Sequence, residues 1–224
     1  MCTHSPALVL VRVQCAQLHV FSTAKCTHTA PRSCPCASAA HSCMSSQQRN
    51  AHTQVLALAL MQCPHLKEVD LSSNGLHYPD CMRVCAALMR CPALVSLDLS
   101  CNLLRHHCAH DIANLLAQCT QLENLNLSDN CLGDAGAVML ASVLASCRHL
   151  ATLRLAHNCI YQRGALGLAR GVRLSPALRR LDLAHNHIDR AGTQALLCAA
   201  LYSRCGLQRM NLEGNHTPEF LGGG

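Results

Sequence analysis

Cysteine and histidine are the residues of this chain best equipped for chemistry: its 224 residues include 18 Cys and 15 His. Cys26, His28, Cys34, Cys36, His41 and Cys43 form the densest set of soft ligands. Zinc accepts such donors, but the paired C-x-x-C spacing of a structural zinc site is missing. His106 and His110 stand four residues apart, so a helix would carry them on one face. That H-x-x-x-H lacks the glutamate that serves as general base in a metalloprotease helix. Elsewhere no nucleophile is paired with a base and an orienting group. A metalloenzyme reading would require bound zinc. The sequence therefore predicts no catalytic residue, no metal ligand and no cofactor.

The cysteines make more sense as part of a pattern. Cys63, Cys91, Cys119 and Cys147 recur every 28 residues, and Ser175 takes the next slot. Small buried groups at helix ends explain them. Around them six segments follow L-x-x-L-x-L-x-x-N-x-L. The first has Leu66, Val69, Leu71, Asn74 and Leu76, and the fourth has Leu150, Leu153, Leu155, Asn158 and Ile160. The sixth is weaker, with Leu207, Met210, Leu212, Asn215 and then Thr217. Successive starts differ by 28 residues, and by 29 in the last case. Alternating apolar positions predict a short strand in each unit. The Asn is expected to satisfy backbone groups of the bend that follows.

Between strands the period becomes helical. Leu56/Leu60, Val84/Leu88, Ile112/Leu116, Leu140/Leu144 and Leu168/Val172 lie four apart and in phase. Leu196 continues the series, and the extra residue of the last unit is expected to shift its partner to Leu201. Gly136, Gly164 and Gly192 fall at the starts of three helices. Strand, turn, helix and return with right-handed crossovers give an α/β solenoid, or horseshoe. Its parallel sheet lines the concave face and its helices the convex face. Aromatics are only 2% of the residues, which suits regular stacked units rather than an irregular core. A single unit cannot offset its own ordering entropy, so stacking must stabilise it and the ends need lids.

Domain boundaries follow. Residues 1–50 show no repeat and contain four basic residues without an acid, and are expected to be a leader or disordered. Residues 51–65 are expected to form a capping half-repeat helix, 66–217 six repeats, and 218–224 a flexible tail. Residues 67–224 hold fourteen Lys/Arg and twelve Asp/Glu, which is no clustered basic footprint for nucleic acid. No run of eighteen apolar residues predicts a membrane span. Cysteines at repeat positions are poorly placed for disulfides, so a reducing, cytoplasmic setting is expected. The acid-free leader would suit organellar import as an alternative.

These units resemble the ribonuclease-inhibitor type of leucine-rich repeat, as found in NOD-like receptors. The likeness spans about residues 51–217, through the 28-residue period, Asn130-Cys131-Leu132 and helix starts such as Gly136-Ala137. It departs from those receptors in lacking any P-loop motif. The resemblance implies a non-catalytic module that binds a protein partner of unknown identity on the concave face. A regulator of a small GTPase, similar to Ran GTPase-activating proteins, and a fragment of an immune-type receptor are the alternatives. Gly222–Gly224 is unlike the acidic tail of the former.

On that face the third and fifth pattern positions point away from the core. They supply Glu68, Asn124, Arg180 and Arg209 from one row, and Asp70, Asp98, Asn126, Arg154 and Asp182 from the other. The eighth position adds His157 and His185. The rows run from acidic or neutral to arginine-rich. Arg154 and Arg180 are the expected anchors for a partner's carboxylates, since Arg grips carboxylates bidentately.

Overall fold

The computed structural model describes residues 12–13, 46–202 and 206–216. In chain order the elements are β1 (Arg12–Val13), α1 (Ser46–Met61), β2 (Glu68–Asp70), α2 (Tyr78–Leu88), β3 (Ser96–Asp98), α3 (Cys108–Gln118) and β4 (Asn124–Asn126). They continue as α4 (Gly133–Val143), β5 (Thr152–Arg154), α5 (Gln162–Leu174), β6 (Arg180–Asp182), α6 (Arg190–Leu201) and β7 (Arg209–Asn211).

Strands β2 to β7 form one parallel sheet in chain order, each residue facing its equivalent in the next unit. Strand β1 adds to the outer edge of β2 in the antiparallel sense, with Arg12 opposite Asp70. Consecutive helices pack side by side from α1 to α6. Strands lie ~4.8 Å apart, whereas packed helices need ~8–10 Å, so the helical layer is the longer arc and the sheet becomes concave.

The pattern residues do what their spacing predicts. Leu66, Leu94, Leu122, Leu150 and Leu178, with their strand partners Val69, Leu97, Leu125, Leu153 and Leu181, are all buried. The ladder Asn residues tie consecutive bends together. The Asn130 side-chain amide donates to the carbonyls of Leu99 (3.1 Å), Leu127 (3.1 Å) and Ser128 (3.1 Å), while its Oδ1 accepts from the Leu104 N–H (3.0 Å). Asn102, Asn158, Asn186 and Asn215 repeat this arrangement. A backbone that bends sharply and is buried must place its polar groups somewhere, and one primary amide serves several at once.

Two expectations are corrected. Helix α1 starts at Ser46, five residues ahead of the expected Ala51. Leu201 is 81% exposed, so it is not the buried partner of Leu196; Ala199 is buried instead. Five helical residues rotate a side chain by about 500°, which leaves it about 140° off the starting face. Helix α6 begins eight residues after its strand, as α5 does, so the extra residue is absorbed beyond the helix. At the last unit Leu207, Met210 and Leu212 are only partly buried, against full burial of their equivalents upstream.

Candidate functional site

The exposed face of the sheet is built from two rows of side chains that the register sets side by side. Glu68, Ser96, Asn124, Thr152, Arg180 and Arg209 form one row; Asp70, Asp98, Asn126, Arg154, Asp182 and Asn211 form the other. Nine of the eleven residues expected from the sequence to line this face stand in these rows, His157 and His185 lie just past the strands, and none of the eleven is buried. The structure divides them by their position in the repeat.

The fifth-position row has a structural duty that the sequence reading did not assign to it. Asp70 Oδ1 accepts from the Ser72 N–H (2.9 Å), Asp98 from Ser100 (2.8 Å) and Asn126 from Ser128 (3.2 Å). Asp182 accepts from Ala184 (3.1 Å) and Asn211 from Glu213 (3.1 Å). Each side chain caps the backbone where its strand ends, in the manner of an Asx turn. Asp98 Oδ2 also accepts from the Asn126 amide (2.9 Å). The signal was present in the recurring Asp/Asn-Leu-Ser/Ala/Glu runs. Arg154 breaks the row, because a guanidinium has no acceptor and cannot cap its strand.

The eighth position carries a second, backbone constraint. Ser73, Cys101, Asp129, His157, His185 and Gly214 all have positive φ, between 52° and 68°. The bend that begins each turn demands this left-handed conformation. The His157 and His185 rings stack with centroids 4.5 Å apart. A Cβ on Gly214 would come within 2.2 Å of the His185 ring, so the ring lies over the next unit's glycine. These two histidines are therefore held in place by their neighbours as well as facing solvent.

The third-position arginines Arg180 and Arg209 have no such duty, nor has Arg154 of the fifth-position row. Arg154, Arg180 and Arg209 meet in a hollow of about 480 Å³, together with Thr152, Asp182, Gln208, Asn211 and the backbone-flanking Leu181 and Met210. Among the described residues, none of the three guanidinium groups lies within ion-pairing distance of a carboxylate. Gln208 belongs to the hollow although the pattern did not single it out, and Met210, expected as a core position of the sixth repeat, also lines it. Glu68, Asp70 and Asp98 stand at the other end of the sheet, several strands away.

Among the described residues, the buried thiols do not offer a reactive centre. Among the described cysteines, Cys81, Cys85, Cys91, Cys108, Cys119 and Cys147 are buried. Burial pushes the Cys119 and Cys147 thiols up to about 11. A hydrogen bond with Cys81 and burial hold the Cys108 thiol well above its ordinary range. A raised value disfavours the nucleophilic thiolate. His110 Nδ1 sits 3.2 Å from the Asn114 amide, and the His106 and His107 rings lie 3.8 Å apart in the preceding turn. Among the described residues no group of three or more His, Cys, Asp or Glu could hold a metal ion. The candidate ligands from Cys26 to Cys43 lie outside the described residues. No described helix is long and apolar enough to cross a membrane.

Comparison with known proteins agrees with this architecture. A family model described as "Leucine Rich repeat" matches residues 62–85, 118–141, 146–169 and 175–197. No curated protein matches the sequence. Among solved structures, the actin-binding site 2 of leiomodin-1 is similar at 20% identity and a TM-score of 0.54, covering 66% of this chain and 86% of that one. The C-terminal domain of tropomodulin from Caenorhabditis elegans is similar at 11% identity and a TM-score of 0.56, covering 65% and 92%. At these identities the likeness is one of fold. Four matched spans, set on strands and helices that repeat with the same period, identify this chain as a leucine-rich-repeat protein.

Proposed function

We infer that this protein is a non-catalytic interaction module that binds a protein partner on its concave face, in the C-terminal half of the array. One observation carries the reading: three arginines, none within ion-pairing distance of a described carboxylate, line a hollow of about 480 Å³ on the exposed face of the sheet. The fifth-position neighbours of Arg154 commit an oxygen to strand-end caps, a role that Arg154 cannot take. A side chain that departs from a structural row and remains exposed is free to serve a ligand. The 28-residue period supports assignment to the ribonuclease-inhibitor type. The leiomodin-1 structure is that of an actin-binding site, which supports a protein-binding role for such a fold. Free, buried thiols support a reducing compartment such as the cytoplasm.

The test is affinity capture with the full chain, followed by quantitative mass spectrometry and direct binding to the recovered partner. Arg154→Ala with Arg180→Ala should leave the fold intact, because both side chains are exposed, and weaken that partner at least about tenfold, a loss of ~1.4 kcal/mol. Arg163→Glu with Arg170→Glu, on the exposed side of α5, should leave binding unchanged. The reverse pattern would move the interface to the convex face.

A further inference from the structure

We propose that the arginine hollow is a receptor for a phosphorylated side chain of the partner protein; this rests on the concave-face reading above and narrows it to one ligand chemistry. Charge is the first argument. The lining groups are three guanidinium ions, one carboxylate and five neutral residues, leaving two positive charges. A carboxylate returns one negative charge, whereas a phosphate monoester carries about −1.5 to −2 at neutral pH.

The second argument is the register. Arg180 and Arg209 are directly opposed on neighbouring strands, and Thr152 precedes them in the same row. Like charges in that position repel. No described carboxylate is within ion-pairing reach of either, and Asp182, the one carboxylate of the lining, offsets only part of the charge. An anion with three acceptor oxygens bridging both guanidinium groups would relieve it.

Donors are the third. Asn211 spends its Oδ1 on the Glu213 N–H, so its NH2 is the part left for a ligand. Asp182 likewise commits Oδ1 to the Ala184 N–H, which ties its carboxylate to the backbone. The Thr152 hydroxyl and the Gln208 amide complete a lining rich in donors.

The same lining selects the source of the phosphate. It contains no aromatic ring on which a base could stack, which disfavours a nucleotide or nucleic acid. It lies on the concave side of a curved sheet, which a flat bilayer surface cannot enter. A phosphorylated loop or extended segment of a protein can.

The full chain is titrated with short fluorescent peptides of one neutral sequence, carrying phosphoserine, serine or glutamate at the central position. Adenosine monophosphate and phosphatidate-containing vesicles are the competing arms. The phosphopeptide should bind at least about tenfold tighter than the glutamyl peptide and should not be displaced by equimolar adenosine monophosphate or by vesicles. Arg180→Gln, Arg209→Gln and the pair should each keep the native circular dichroism spectrum and lose the phosphopeptide by about tenfold or more. Glutamyl and phosphoseryl peptides binding equally, both weakened by the variants, would overturn the phosphate inference and leave the concave-face reading standing. Tighter binding of the nucleotide or the vesicles would overturn the choice of a protein ligand. No binding of either acidic peptide would also overturn it. The concave-face reading would then be decided separately, by the Arg154→Ala and Arg180→Ala partner measurement.

Discussion

At the scale of single residues, a few polar side chains hold the repeat together and one departs from the pattern. Asn158 is fully buried; its amide donates to the carbonyls of Leu127 (2.8 Å) and Ala156 (3.0 Å), and its Oδ1 accepts from the Leu132 N–H (3.3 Å). Asn158→Ala removes these partners and strands buried backbone groups, each worth ~1–3 kcal/mol when left unsatisfied. Urea unfolding should show a loss of about 3 kcal/mol, with no change in the positions that line the hollow. Arg154 makes the opposite prediction. Arg154→Asn supplies the oxygen that its row uses elsewhere to accept from the second following N–H. Stability should rise by about 0.5–1 kcal/mol, while partner binding falls. A variant that loses stability would show that the strand end of β5 is satisfied in some other way.

At the scale of elements, the helices are packed as tightly as their small residues allow. Gly171 lies in α5, and a Cβ there would stand 2.6 Å from the Ala141 carbonyl oxygen and 3.0 Å from its Cα. In an isolated helix Gly→Ala gains about 1 kcal/mol. Here the added methyl meets backbone of α4, which cannot swing aside as a side chain can. Gly171→Ala should therefore destabilise by about 1–3 kcal/mol, read as a lower midpoint in chemical unfolding. An unchanged or higher midpoint would mean that α4 and α5 can move apart freely. Helix α6 gives the complementary lesson. Its inserted residue falls after the helix, so the periodic face survives up to Ala199 and Leu201 points to solvent.

At the scale of the whole molecule, stacking turns marginal units into a continuous core, and the thiols within it give the fold a pH limit. Cys119 and Cys147 are raised by burial from 9.0 to about 11, and Cys91 is raised for the same reason. Raised values mean that the folded state favours the neutral thiol. The resulting stabilisation is fully present below 9 and is lost as pH rises toward about 11, because unfolded thiols ionise first. Urea midpoints measured under reducing conditions should be flat from pH 7 to about 8.5 and fall above 9. Substituting Cys119 and Cys147 by Ala should flatten the fall at the alkaline end, even if the variant is less stable throughout.

Sequence alone determined the repeat, because periodicity and burial are the same physical fact in a solenoid. Every second strand residue and every fourth helix residue must meet the neighbouring unit, so the Leu, Asn and Cys positions were readable before any coordinate. The two exposed rows were readable too, since side chains alternate along a strand. What those rows do was not. Asp70, Asp98, Asn126, Asp182 and Asn211 look like a binding surface on paper, yet each caps its own strand end. Only the turn geometry that brings an oxygen to the second N–H onward reveals the duty, and only against that duty does Arg154 become the exception. The convergence of Arg154, Arg180 and Arg209 with Gln208 and Asn211 in one hollow was likewise decided by tertiary structure. Register sets their backbones about one strand spacing apart, but the directions taken by long exposed side chains depend on neighbours that no local pattern records.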